Sequence, residues 1–285
     1  MYAHEATRAL CEIMLPDSGY LNEKEAEWEN RKRAKQGRVS IRPLYTREDA
    51  EACIGQFVGL EYETPREIVP GLTLTLFDAG HILGASIVQL EYDDKGTKRT
   101  LVFSGDLGYR DAPLMDPTTR LEYADVVLME STYGDRDHRP ITETIDELTD
   151  VFESARASQG NVLIPAFTVG RTQDLLYLMA EHYEQWNLGK WKIFLDSPMG
   201  ISATKVYSQF RQLFAATLFE PKTDYPDLPN TPPADALRSP TYQQMRRLHV
   251  AGRSRHWRPP GHRHRRCLRR LAGRRQKYGP RTSRR

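Results

Sequence analysis

Hydrophobic and polar positions alternate most cleanly between residues 72 and 103. Leu72, Leu74 and Leu76 alternate with Thr73, Thr75 and Phe77, the two-residue period of a strand. Residues 87–92 read as a second strand, Asp93-Asp94-Lys95-Gly96 as a turn, and residues 99–103 as the returning hairpin partner. Residues 125–129 (DVVLM) form a short apolar strand. Ahead of this region, residues 1–3 read as the tail of a strand. Residues 5–15 predict a helix, with Leu10, Ile13 and Met14 at helical spacing. Residues 21–35 are highly charged around one aromatic, Trp28, and predict a solvated helix or a mobile excursion. Thr46-Arg47-Glu48-Asp49 is a capping-box pattern, opening a helix whose apolar stripe is Ala50, Cys53, Ile54 and Phe57.

From residue 142 the period changes. Residues 142–157 predict a helix with Ile145, Leu148, Val151 and Phe152 inward, followed by a strand at 161–166. A helix at 170–184 carries Leu175, Leu176, Leu178 and Met179. A strand at 191–195 and a helix at 201–214 follow. This βαβα order predicts a parallel sheet. Residues 221–240, rich in Pro, Asp and Thr, read as a loop.

Composition adds limits. A chain of 285 residues makes one large domain or two of ordinary size. No run of about 18 apolar residues occurs, so no transmembrane helix is expected, and MYAHEATRAL lacks the layout of a signal peptide. Three cysteines (Cys11, Cys53, Cys267), without CxxC spacing and odd in number, predict a reducing cytoplasm with the thiols as buried small hydrophobes. The net charge of +3 conceals two opposite halves. Beyond Asp235 lie 17 of the 41 basic residues and none of the 38 acidic ones, so that end carries +17 and the part before it −14.

The candidate chemistry lies in and just after the strand region. AGHILGA, carrying His81, and SGDLG, carrying Asp106, each follow a strand-like run. Strand ends are rigid and their loops can converge. His supplies an imidazole nitrogen, and Asp a carboxylate able to bridge two cations. Taken singly, His81 reads as an ordinary loop histidine and Asp106 as an ordinary turn former, since a metal site needs three or four ligands. Their joint occurrence with a third signature, ESTYGDR at Glu130–Arg136, changes the weight of each.

Together these signatures resemble the metallo-β-lactamase superfamily in its β-CASP nuclease branch, which includes the RNase J enzymes and the endonuclease of mRNA 3′-end cleavage. Two later pieces, IPAFTVGRTQDLL at 164–176 and LDSPMG at 195–200, match as well, so the resemblance runs from residue 1 to about 213. It implies an α/β (α+β) fold, an αββα sandwich with an inserted β-CASP α/β domain, incomplete at both ends. The implied division is 1–134 for the sandwich, 135–220 for the insertion, and 221–285 for a Pro-rich linker and Arg-rich tail. It implies a metal-dependent phosphodiester hydrolase acting on RNA, with two Zn²⁺ ions. By resemblance His81 ligates one metal and Asp106 bridges both. Glu130 matches the acidic residue that orients a histidine protonating the leaving group. Arg171, after Gly170 at a helix start, could hold phosphate, or form a surface salt bridge. The resemblance further implies an RNA partner, no membrane and a cytoplasmic setting, and it allows a homo-oligomer.

The chain also departs from the family. No HxHxDH occurs. In the family that run lies just upstream of the stretch matching YAHEATRAL, so the expectation is a chain beginning after it. Residues 253–285 show no apolar periodicity and no acid. They read as a nucleic-acid-binding tail or as the product of a shifted reading frame. Residues 251–285 are expected to lack a packed core, and His249, His256, His262 and His264 are not offered as ligands. With two ligands the site is not closed, so the chain is expected to be an inactive fragment. The alternatives are a non-catalytic scaffold homologue, opposed by the retention of His81, Asp106 and Glu130 together, and another hydrolase of the same fold, opposed by ESTYGDR and IPAFTVGRTQDLL.

Overall fold

The computed structural model describes residues 1–215 and 248–253. A short strand, β1 (Tyr2–His4), leads into the helix α1 (Glu5–Lys35). His4 caps it: its buried Nδ1 accepts the Ala6 N–H at 3.1 Å, satisfying a donor that the first turn leaves free. The helix does not stop near residue 15. It runs through Pro16, and residues 21–35 continue it rather than leaving the fold. Pro16 forfeits one backbone bond, but two things sustain the helix. Its charged half pairs along itself, as in Lys24–Glu27 at 2.9 Å and Lys32 over the Trp28 ring. A second helix, α2 (Arg47–Ile54), also packs across it.

The capping box of α2 is formed as expected. The Thr46 hydroxyl accepts from Asp49 N–H at 3.1 Å, and the Asp49 carboxylate accepts from Thr46 N–H at 2.8 Å. The contact of the two helices is so close that Gly19 has no room for a side chain; a methyl group there would lie 2.6 Å from the Thr46 carbonyl oxygen. Cys11 and Cys53 are free and half-buried rather than buried. Burial, with the Cys53 thiol nearby, pushes the Cys11 thiol up.

β2 (Val58–Leu60) pairs in parallel with β1. Five strands then form one sheet in chain order: β3 (Arg66–Val69), β4 (Leu72–Asp78), β5 (Ser86–Asp94), β6 (Thr97–Phe103) and β7 (Val126–Leu128). The first four are antiparallel neighbours, and β7 joins β6 in parallel. The β5–β6 hairpin turns at Lys95-Gly96, both at positive φ, as a two-residue primed turn requires. The period of β4 decides its faces: Leu74 and Leu76 pack with Leu60, while Phe77 packs with Ile87 and Val102 on the other side. Because β5 is antiparallel to both neighbours, β4, β6 and β7 run the same way. Their C-terminal ends lie along one edge.

The second part alternates α3 (Ile141–Ala157), β8 (Leu163–Phe167), α4 (Arg171–Glu181), β9 (Ile193–Leu195) and α5 (Pro198–Gln209). The helix α4 is shorter than its apolar period suggests, and Trp186 and Leu188 are buried beyond its end. In LDSPMG, Ser197 caps α5 by accepting from Gly200 N–H at 3.0 Å, and Pro198 takes the first turn. The sheet of this part is parallel, as expected, but its central strand was not. β10 (Leu248–Arg253) lies between β8 and β9, with Val250 opposite both Ile164 and Leu195. Residues 251–253, the first of the stretch expected to lack a packed core, pair with β8 as the end of this strand. Pairing with β8 along residues 249–253 and with β9 along residues 248–250 joins six residues to a sheet without any apolar period. The expected loop at 221–240 and residues 254–285 lie outside the described residues.

The α/β core gathers Phe152, Val162, Leu175, Met179 and Trp186. Another cluster joins Ala6 and Leu10 of α1 to Leu83, Ala203, Val206 and Tyr207, seating α5 against α1 and the loop after β4. No helix among the described residues is long and apolar enough to cross a membrane.

Gly19→Ala tests the α1–α2 contact. Alanine favours an isolated helix by about 1 kcal/mol, but here its methyl group meets backbone of the partner helix. Overpacking of this kind costs about 1–3 kcal/mol. Urea unfolding should show a net loss of stability, and a gain would mean that the helices part easily.

Candidate functional site

His81 lies in the loop between β4 and β5, Asp106 just after β6, and Glu130 just after β7. All three sit at the shared edge of the sheet, although β5 separates β4 from β6. Backbone contact closes that distance. Gly108 N–H donates to the Ala79 carbonyl at 2.8 Å, and the Thr118 hydroxyl lies 2.9 Å from the same oxygen and 3.3 Å from the Gly108 carbonyl. Gly108 must be glycine, because a methyl group there would overlap the Gly80 carbonyl oxygen and lie 2.9 Å from His81 N. The loops of His81 and Asp106 are thus in van der Waals contact, and both side chains are exposed.

Glu130 is tied to the same seam. Its Oε1 accepts the Leu107 N–H at 2.6 Å, and its own N–H donates to Ser104 Oγ at 3.1 Å. Hydrogen bonds from Thr132 and from Leu107, with the His81 ring adding a smaller favourable charge, hold its carboxyl below the usual range against a small burial effect. Glu130 is therefore an ionised buttress of the residue immediately after Asp106.

The helix α4 brings further groups to this edge. The Tyr207 hydroxyl of α5 accepts from Leu83 N–H at 3.2 Å and hydrogen-bonds Gly170 at the start of α4. Arg171, the first residue of α4, is exposed. It pairs with Asp174 at 3.5 Å and hydrogen-bonds the Tyr109 hydroxyl. The ion pair allowed by the sequence is present. Asp174 is the residue that sequence reasoning missed. Burial pushes its carboxyl up to about 6, opposed by Arg171 and by His81. Its signal was an acid three residues after Arg171 within RTQD; only the packing shows that it comes within electrostatic reach of His81.

These donors do not make a closed metal centre. Among the described residues no group of three or more His, Cys, Asp or Glu side chains is placed to hold an ion, and catalytic zinc generally takes about three protein ligands. His81 and Asp106 are thus a partial donor set, which by itself leaves most coordination positions of a metal pair to other ligands. What the edge provides is two exposed donors, one buttressing carboxylate and a cation at a helix N-terminus.

Comparison with known proteins bears on this arrangement. Residues 172–256 match the Beta-Casp domain family. The chain is similar to the ribonuclease TTHA0252 of Thermus thermophilus, with 34% identity over 75% of this chain and 44% of that protein. It is similar to the transcription termination factor FttA of Thermococcus kodakarensis, with 31% identity over 63% of this chain and 28% of that protein. It is also similar to the endoribonuclease YSH1 of Eremothecium gossypii, with 30% identity over 61% and 23%. The chain thus spans less than half the length of these curated relatives.

Asp174→Asn tests the buried carboxyl. Its folded pKa of about 6 lies above its ordinary 3.8, so the folded state binds the proton more tightly and loses stability as pH rises between these values. Asparagine does not titrate. The variant should gain on the wild type between pH 4 and pH 7 by on the order of 2–3 kcal/mol. Urea unfolding at both pH values measures this, and a constant difference would contradict the burial.

Proposed function

Because this chain belongs to the β-CASP branch of the metallo-β-lactamase superfamily, we propose that its sheet edge serves metal-dependent hydrolysis of RNA phosphodiesters, with zinc as the metal. The observation that carries the reading is the meeting of the His81 and Asp106 loops across an intervening strand, with Glu130 bonded into the seam. In this reading His81 and Asp106 would hold the metal, His81 through an imidazole nitrogen and Asp106 through a carboxylate that cations can share. Glu130 holds the Asp106 loop through Leu107, and Arg171 offers its charge to a phosphate oxygen from the start of α4. The separate packing of the sheet and of the α3–β9 core supports a sandwich to residue 134 and an inserted part from 135. Free thiols at Cys11 and Cys53 are compatible with a cytoplasmic location.

The donor set of this chain is partial in the same reading, since HxHxDH is absent from the sequence and two donors leave most coordination positions to water. A cleavage assay with labelled RNA and Zn²⁺ or Mn²⁺ tests both halves. The 285-residue chain should cleave little or not at all, and fusion to an HxHxDH-bearing segment and a family-type C-terminal end should produce cleavage that Asp106→Ala and His81→Ala abolish. Robust cleavage by the unfused chain, lost in Asp106→Ala, would show that its own residues suffice. Cleavage by the fusion that survives both substitutions would remove the edge from the mechanism.

A further inference from the structure

Beside the sheet edge, three rings stand in one column. The Tyr133 and His138 centroids are 3.7 Å apart at 22°, and His138 and Tyr109 are 4.9 Å apart at 25°. The Arg136 guanidinium lies 4.8 Å from the Tyr133 centroid. Both ends of the column are rooted in the candidate site. Tyr109 follows Asp106 by three residues and hydrogen-bonds Arg171, and Tyr133 follows Glu130 by three residues. Three residues span at most about 10 Å of chain. Residues 131–140 are exposed throughout and Tyr109 is half-buried, so the outer end of the column, Tyr133 and His138, is not part of a core.

We propose that the Tyr109–His138–Tyr133 column is a stacking platform for a base of single-stranded RNA next to the phosphate at the sheet edge. Flat faces bind single-stranded nucleic acid because every base has a π-face of its own. Tyr133 ends the column and is 47% exposed. What covers it is displaceable: Arg136 is 59% exposed and pairs with Asp135, itself 78% exposed, at 3.2 Å, and exposed pairs of this kind are worth about 0–1 kcal/mol. A base takes the guanidinium's place on Tyr133, and Arg136 turns to the strand's phosphates. A strand whose phosphate lies at Arg171 then carries its neighbouring base along the column. A plain clamp between two loops would leave the terminal face serving no ligand.

The proposal rests on RNA being the substrate, and its test is independent of cleavage. The basic end of the chain also attracts phosphates, so the probes must differ in bases alone. Fluorescence anisotropy of the full chain in EDTA compares a ten-nucleotide oligouridylate with an abasic strand of the same length and charge, at two salt concentrations. The base-bearing strand should bind the wild type about tenfold more tightly, by a margin that salt leaves unchanged while both affinities fall. Tyr133→Phe should keep the margin, and Tyr133→Leu should erase it. His138→Ala should reduce it, with thermal melting confirming that each variant is folded. Equal binding of the two probes to the wild type, or an unchanged margin in Tyr133→Leu, overturns the platform and leaves the hydrolase reading standing. A margin that behaves as expected, beside a fusion whose cleavage ignores Asp106 and His81, overturns the hydrolase reading alone.

Discussion

The site depends on one backbone contact. β4 and β6 are not neighbours, because β5 runs between them in the opposite sense. Their C-terminal loops meet where the chain after Asp106 folds back until Gly108 N–H reaches the Ala79 carbonyl. At that approach no side chain fits on residue 108. The hydrogen bond and the missing Cβ are two aspects of one constraint. Together they bring His81 and Asp106 to the same edge, and Thr118 bonds to the Ala79 carbonyl in the same seam.

Two carboxylates frame His81 in opposite electrostatic settings. Glu130 accepts hydrogen bonds from Leu107 and Thr132, and these stabilise its anion. Asp174 is largely withdrawn from water, and its anion is disfavoured despite Arg171 close by. Hydrogen-bond donors directed at a carboxylate lower its pKa and burial raises it, so side chains of similar chemistry hold their protons differently within one site. Glu130 belongs to the sheet and Asp174 to the helix after it. His81 therefore lies under the influence of both parts of the fold.

The junction between these parts is made by α1 and α5 rather than by the sheets. Tyr207 of α5 is buried, packs with Ala6 and Leu10 of α1 in one cluster, and bonds both Leu83 and Gly170. It links the loop that carries His81 to the start of the helix that carries Arg171 and Asp174. This explains how a cation at the N-terminus of a helix in the second core comes to the edge of the first sheet.

The alternation of Leu72, Leu74 and Leu76, the Lys95-Gly96 turn, the capping box at Thr46 and the βαβα order were all legible in the sequence, because each depends on neighbours a few residues away. The signatures around His81, Asp106 and Glu130 were legible for the same reason. Three other features depended on tertiary structure. The sequence left residues 21–35 open between a solvated helix and an excursion, and α2 packed against the turn at Gly19 holds them in the helix. Residues 248–253 form a central strand because β8 pairs with residues 249–253 and β9 with residues 248–250. Asp174 acquires its raised pKa from burial, which no local spacing encodes. The sequence by itself determined the elements and the residues able to carry the chemistry. Only the packed chain decided which of them meet, because close approach and loss of water are properties of segments far apart in sequence.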